Sequence, residues 1–183
     1  ALKDDFRNIE EFVKPENIYI NDDKTGLAKG FSSAASIYDQ DGIDGWRVSN
    51  VNVEVTGISF KLSKDGQLIN VKSGLLGRHN IGPLCAVAAI ALRLGFKIQE
   101  IEHAMTLTRP FEHRMQPRQV NGAWIIDDAY NGNLEGFKAG LALLGELDAK
   151  RKIYVTPGLV DQGEETQRVH VEIGQAIANA KPG

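Results

Sequence analysis

Residues 123–133, Ala-Trp-Ile-Ile-Asp-Asp-Ala-Tyr-Asn-Gly-Asn, limit what this chain can fold into more than any other stretch. The apolar run Ala123 to Ile126 suits a buried strand, Asp127, Asp128, Tyr130 and Asn131 follow at once, and Gly132 and Asn133 open a helix. Strand, turn and helix start in that order form the unit of an open α/β sheet. Such sheets bind ligands outside the carboxyl ends of their strands, where these carboxylates and amides would meet a substrate. Asp and Asn also favour N-caps and Asx turns, and on spacing alone a capped turn without a ligand is the stronger reading. The rest of the chain has to decide between the two.

On either side of this stretch the hydrophobic pattern changes character. Phe6, Ile9, Phe12 and Val13 share one helical face over residues 4–13, Pro15 ends that helix, and Ile18-Tyr19-Ile20 is a strand running into Asn21-Asp22-Asp23. From Ala34 to Val71 the texture is alternating and β-branched, and Asp65-Gly66 is a strong hairpin signal, so a small antiparallel sheet is expected. Leu84 to Leu94 is apolar almost all round and predicts a buried helix, with Asn80 as N-cap, Pro83 in the first turn and Gly95 as the stop. A second helix over 99–107 carries Ile98, Ile101 and Met105 on one face and ends before Pro110.

After Pro110 the order becomes strand, helix, strand, helix. A turn at Asn121-Gly122 precedes the Trp124 strand; Leu134, Phe137, Leu141 and Leu144 mark a helix face; Lys152 to Thr156 is the next strand; Val169, Ile173, Ile177 and Ala180 mark the last helix. That order predicts a parallel sheet with a right-handed crossover. The domain boundary is expected between Arg109 and Glu112, giving domains 1–110 and 111–183.

Several function classes are excluded or disfavoured. The net charge is −3 and the 21 basic residues are scattered, so the chain lacks the electrostatic footprint of a nucleic-acid binder. One cysteine, Cys85, permits neither an intrachain disulfide nor a thiolate zinc site and reads as a small core residue. The four histidines, His79, His103, His113 and His170, have no metal-ligand spacing, and His103 and His170 read as surface residues. Neither a nucleophile elbow nor a G-x-x-x-x-G-K-[ST] phosphate loop occurs, and no apolar run is long enough for a membrane helix. A first residue other than Met and a C-terminus reached where another strand is due suggest part of a longer protein. His79 and Asn80, at the start of a buried helix, suit an anion or nucleotide, and equally a simple cap.

Three blocks together resemble the Mur ligases, ATP-dependent amide-forming enzymes of cell-wall peptide synthesis: Leu76-Gly-Arg-His-Asn with its alanine-rich helix, Arg114-Met-Gln followed by Ile126 to Asn133, and Val155 to Glu165 followed by His170. Asn21-Asp22-Asp23 fits as well, and the match runs over about residues 17–181. The resemblance implies an α/β chain: the end of a Mur ligase central domain, with a small antiparallel sheet and buried helices, then the first half of a Rossmann-like C-terminal domain. It implies that His79 and Asn80 contact adenine, that Arg114 and Asp128 contact phosphate or ribose, and that Tyr130, Asn131 and Asn133 face the incoming amino acid or dipeptide. ATP and Mg²⁺ would be needed by the complete enzyme, whose other substrates would be a UDP-MurNAc-peptide and an amino acid or D-Ala-D-Ala. The phosphate loop and an N-terminal region would be supplied from outside this sequence, and the compartment would be the cytoplasm. Lys3 is a candidate for the family's carbamylated lysine.

The chain also departs from the family. Pro83 stands where a second Asn is usual, His113 where Gly precedes the linker Arg, and Pro157 to Gly163 where Gly-Asp-Met-x-Glu-Leu-Gly is usual. Two other functions remain open: a non-catalytic Mur-like nucleotide-binding or subunit-contact module, and a folylpolyglutamate-type ligase. The first typically carries a four-cysteine zinc insertion, which a chain with Cys85 alone lacks, and the second usually lacks the Tyr130-Asn131 pair.

Overall fold

The computed structural model describes residues 8–23, 26, 28, 29 and 31–180. Lys3, and residues 4–7 of the expected first helix, lie outside them. Of that helix, Asn8–Glu11 form a short 3-10 turn and Phe12 is largely exposed, so the expected apolar face does not continue through residues 8–13.

Six strands make one sheet in chain order: β1 (Tyr19–Asn21), β2 (Ser36–Asp39), β3 (Gly42–Ile43), β4 (Trp46–Glu54), β5 (Gly57–Lys64) and β6 (Gln67–Ser73). β1 runs parallel to β2, with Ile20 opposite Ile37, and β2–β3 and β3–β4 pair antiparallel. The later strands follow through two-residue connections, which only antiparallel neighbours can use. Asp44-Gly45 and Asp65-Gly66 take positive φ at both positions, the geometry of the hairpin turns that match strand twist. The expected antiparallel sheet is present, extended by one parallel strand.

Helix α1 (Ile81–Arg93) packs on β1–β3 and buries Ile81, Leu84, Cys85 and Ala88. Burial drives the Cys85 thiol up to about 12, and the charges of Asp39 and Asp23 add to the shift, so it stays a neutral core group. Gly95 follows with φ +89 and ends the helix as expected. α2 (Ile98–Thr106) buries Ile101 and Met105, and its Glu102 accepts hydrogen bonds from the backbone and side chain of Asn70 on β6 at 2.6 and 2.9 Å. A carboxylate thus occupies polar groups along the edge strand.

The described residues divide into two compact units. One takes in residues up to 51 with 59–72 and 79–107; the other takes in 52–58, 73–78 and 108–180. In the second unit β7 (Gln116–Val120) and β8 (Ala123–Asp127) form an antiparallel hairpin closed by Asn121-Gly122 at φ 50 and 79. Helices α3 (Leu134–Glu146) and α4 (Thr166–Ala180) pack together through Phe137, Leu141, Val169 and Ile173, with Leu159 beneath them. The opposite side of α3 buries Leu143, and Leu147 just beyond the helix packs with it against Met115 and Leu76.

The expected parallel sheet does not form in this unit. Residues 151–160 carry no strand, and Ile153 and Val155 are 59% and 89% exposed. Alternating β-branched residues give a segment the texture of a strand, but a strand exists only where a neighbour completes its ladder, and here none does. β8 is likewise no buried strand: Trp124 and Ile125 are partly exposed and its partner is the antiparallel β7. No helix among the described residues is long and apolar enough to cross a membrane.

Candidate functional site

Two groups of polar residues stand out, one in each unit. A 3-10 turn, Arg78–Asn80, leads into α1, and its His79 and Asn80 belong to the first unit. Asn80 occupies the N-cap position but has helical φ and ψ of −84° and −10° and makes no side-chain cap. Its amide lies 3.0 Å from His79 Nε2 instead. An NH₂ group can only donate, so His79 Nε2 accepts and the ring proton sits on Nδ1. Across the first turn of α1, the Asp23 carboxylate comes so near Gly82 that a Cβ there would lie 3.3 Å from Oδ2. The helix start favours negative charge, and the protein itself supplies one.

The loop after β1 is closed by its own side chains. Asn21 Oδ1 accepts from Asp23 N at 3.0 Å, Asp22 Oδ1 from Ala28 N at 3.2 Å, and Asp23 Oδ1 from Gln40 N at 2.7 Å. These residues fix the Asp23 carboxylate against the first turn of α1.

In the second unit the arm 111–115 is laced to the turn 127–133. Asp128 Oδ1 accepts from Met115 N at 3.1 Å, Tyr130 N donates to the His113 carbonyl at 3.2 Å, and Arg114 Nη1 donates to the Asn131 carbonyl at 3.1 Å. The Arg114 guanidinium lies 4.6 Å from the centre of the Tyr130 ring, a cation–π contact. Arg114, from a separate segment of the chain, thus meets the turn that carries Asp128, Tyr130 and Asn131. Asn133 has another task. It is the N-cap of α3, its Oδ1 accepting from Gly136 N at 2.7 Å.

Tyr154 lies below this turn, edge-on to Phe137 at 5.2 Å between ring centres. Burial and then the charge of Asp128 push its hydroxyl pKa up, so it remains a neutral phenol. The pair that sequence reading missed is His113 and Asp127: His113 Nδ1 lies 3.0 Å from Asp127 Oδ2. That bond, foremost, holds the Asp127 carboxyl below its ordinary range, with a backbone bond from Ala129 and the charges of His113 and Arg118 assisting. The signal in the sequence was a histidine in the place of a glycine, and it carried no hint of the partner. Stacked guanidinium, carboxylate and exposed phenol together suit a polyanionic ligand with hydroxyl groups, as a nucleotide has. Among the described residues no three His, Cys, Asp or Glu side chains are grouped to hold a metal ion.

The chain is similar to UDP-N-acetylmuramoyl-tripeptide--D-alanyl-D-alanine ligases. It is 28% identical over 133 residues to the one from Escherichia coli (strain K12), covering 72% of this chain and 29% of that protein. To the one from Mycobacterium bovis it is 31% identical over 123 residues, 63% of this chain and 24% of that protein. The chain therefore spans less than a third of the length of these relatives. Among solved structures it is similar to MurF from Acinetobacter baumannii, with a TM-score of 0.78 and 18% identity over 94% of this chain and 39% of that one. A structure of MurF ligase from Thermotoga maritima in complex with ADP matches with a TM-score of 0.70 and 18% identity, over 88% of this chain and 38% of that one. No family model matches the chain. The resemblance to Mur ligases read from the three sequence blocks is borne out in sequence and in fold.

Proposed function

We propose that this chain is the stretch of a MurF-type Mur ligase in which the end of the central ATPase domain, residues 1–110, passes into the first half of the C-terminal domain, residues 111–183. The complete protein is an ATP-dependent amide ligase of the cytoplasm. It joins an amino acid or D-Ala-D-Ala to a UDP-MurNAc-peptide: ATP phosphorylates the acyl carboxylate, and the free amine displaces phosphate. Positioning and charge stabilisation carry such a reaction, and this chain contributes to both.

The observation that carries the reading is the meeting of Arg114, Asp128 and Tyr130 in one turn. With one nitrogen on the Asn131 carbonyl and its face on Tyr130, Arg114 is held in a single orientation and turns its remaining donors to phosphate. Asp128 keeps one oxygen for the fold and offers the other to ribose hydroxyls. His79 and Asn80 lie on the adenine side, Tyr130 and Asn131 face the amine substrate, and Asn133 acts there by presenting the turn from the start of α3. Mg²⁺ accompanies ATP in the complete protein.

The test is phosphate release by the complete protein with Mg-ATP and UDP-MurNAc-tripeptide, expected only when D-Ala-D-Ala or another amine is added. In that protein Arg114→Ala is expected to weaken ATP binding by roughly 1.5 to 3 kcal/mol, about ten- to a hundred-fold. Amine-independent release, or unchanged ATP affinity in the variant, would refute the assignment.

A further inference from the structure

We propose that His113 is a positioning residue: its imidazole, clasped to Asp127, holds the arm that carries Arg114 against the turn that carries Asp128, Tyr130 and Asn131. His113 has φ +58, in the left-handed region that a residue with a Cβ enters at an energetic cost. Met115, two residues on, also has positive φ, at 45°. Arg114 is therefore flanked by two unfavourable backbone conformations that something must hold in place.

What holds them is distributed over both elements packed against the arm. From β8, Asp127 Oδ2 takes the Nδ1 bond at 3.0 Å; from β7, Gln116 Oε1 accepts from His113 N at 3.3 Å; and the His113 carbonyl accepts from Tyr130 N at 3.2 Å. The charged groups facing the imidazole are Asp127 and, at 3.7 Å from Nε2, Glu112, while Arg118 acts on Asp127. Two carboxylates and one more distant cation favour an Nδ1–H that donates to Asp127. Without the clasp no charged side chain holds residue 113 itself, which keeps only the Gln116 amide and the Tyr130 N–H, although Asp128 still takes Met115 N; the left-handed conformation at 113 relaxes, and Arg114 loses its fixed place over Tyr130. The consequence for ligand binding rests on Arg114 being a nucleotide contact; the geometric role of His113 does not.

The test separates the two. In the purified chain, NMR reads the upfield ring-current displacement of the Arg114 Hδ protons by Tyr130. Asp127→Ala is the deciding variant. It removes the carboxylate that takes the imidazole and the Ala129 N–H, and leaves nothing at 127 that can bond the ring in either tautomer. The displacement is expected to fall by at least half in Asp127→Ala and His113→Ala. His113→Asn, which accepts positive φ and can donate to Asp127, restores it. A retained displacement in Asp127→Ala overturns the proposal whatever the other variants do, and so does a retained displacement in His113→Gly, which would leave the residue a mere tenant of its backbone turn. A lost displacement with unchanged nucleotide affinity in the complete protein keeps the clasp and removes the functional reading of Arg114 alone.

Discussion

Asp128 shows how one residue can answer to both readings of its spacing. Sequence reasoning offers a capped turn or a ligand contact, and Oδ1 is indeed spent inside the fold, on Met115 N. A clean loss of binding without loss of stability is therefore not expected from Asp128→Ala. That variant should lower the unfolding free energy by about 1 to 2 kcal/mol, because the Met115 N–H beside a buried side chain loses its acceptor. Asp128→Asn keeps an oxygen in place and should stay within about 0.5 kcal/mol of the parent, while still weakening nucleotide binding in the complete protein. Urea unfolding of the two variants compares them directly. Asp127 gives a pH dependence whose sign is fixed. Its folded pKa lies below the ordinary 3.8, first because of the His113 bond, so the native state holds this proton less readily than the unfolded chain. Its contribution to stability is complete above 3.8 and is lost as the pH falls through the lower, folded value. Melting curves of the parent and of Asp127→Asn should therefore converge in acid and part above it. The family's usual glycine at position 113 also acquires a physical reason, since φ there is +58.

Among the elements, those with a local signal were legible. The α1 stop at Gly95, the Asp65-Gly66 turn and the α4 face at Val169 and Ile173 all follow from residue type and period, and the structure has them where expected. Elements that depend on a partner were not. β7 reads Gln-Pro-Arg-Gln-Val, with no apolar alternation and a proline, and forms only because Asn121-Gly122 folds β8 back onto it. Residues 152–156 have the opposite fault, a strand texture with no ladder. In the site, the strand-end placement pointed to Asp128 and the resemblance to Mur ligases pointed to Arg114, but the clasp between positions 113 and 127 depends on backbone angles that no spacing reveals. Two predictions belong here. Asn133→Ala removes the α3 cap and should destabilise the chain by about 1 kcal/mol, while Asn133→Asp should be nearly neutral, as measured by thermal or urea unfolding. Gly57→Ala should be far more damaging than Gly66→Ala. A Cβ at 57 would stand 2.0 Å from the Ser73 carbonyl oxygen, whereas at 66 it meets nothing within 4 Å, leaving only the left-handed penalty of about 1 kcal/mol.

For the molecule as a whole, the decisive fact is what the two polar groups lack. The His79–Asn80 pair sits at a helix start whose negative charge is already supplied by Asp23, and the Arg114 turn offers one guanidinium and one carboxylate. Neither is a phosphate clamp. Phosphoryl transfer needs a glycine-rich loop and its lysine around the β- and γ-phosphates, with Mg²⁺ held by a neighbouring hydroxyl, and no G-x-x-x-x-G-K-[ST] occurs between Ala1 and Gly183. Without those contacts, the lost translational and rotational freedom of a bound nucleotide is opposed by only a few hydrogen bonds. The chain alone, given Mg-ATP, UDP-MurNAc-tripeptide and D-Ala-D-Ala, is therefore expected to release no phosphate above background and to form no amide. The complete protein, assayed alongside with the same substrates, supplies the positive control. Steady release by the chain alone at about 1 s⁻¹ or faster, the low end of ordinary enzyme turnover, would mean that its own residues assemble a phosphate site. Arg114 and Asp128 would then be the first positions to substitute in looking for it.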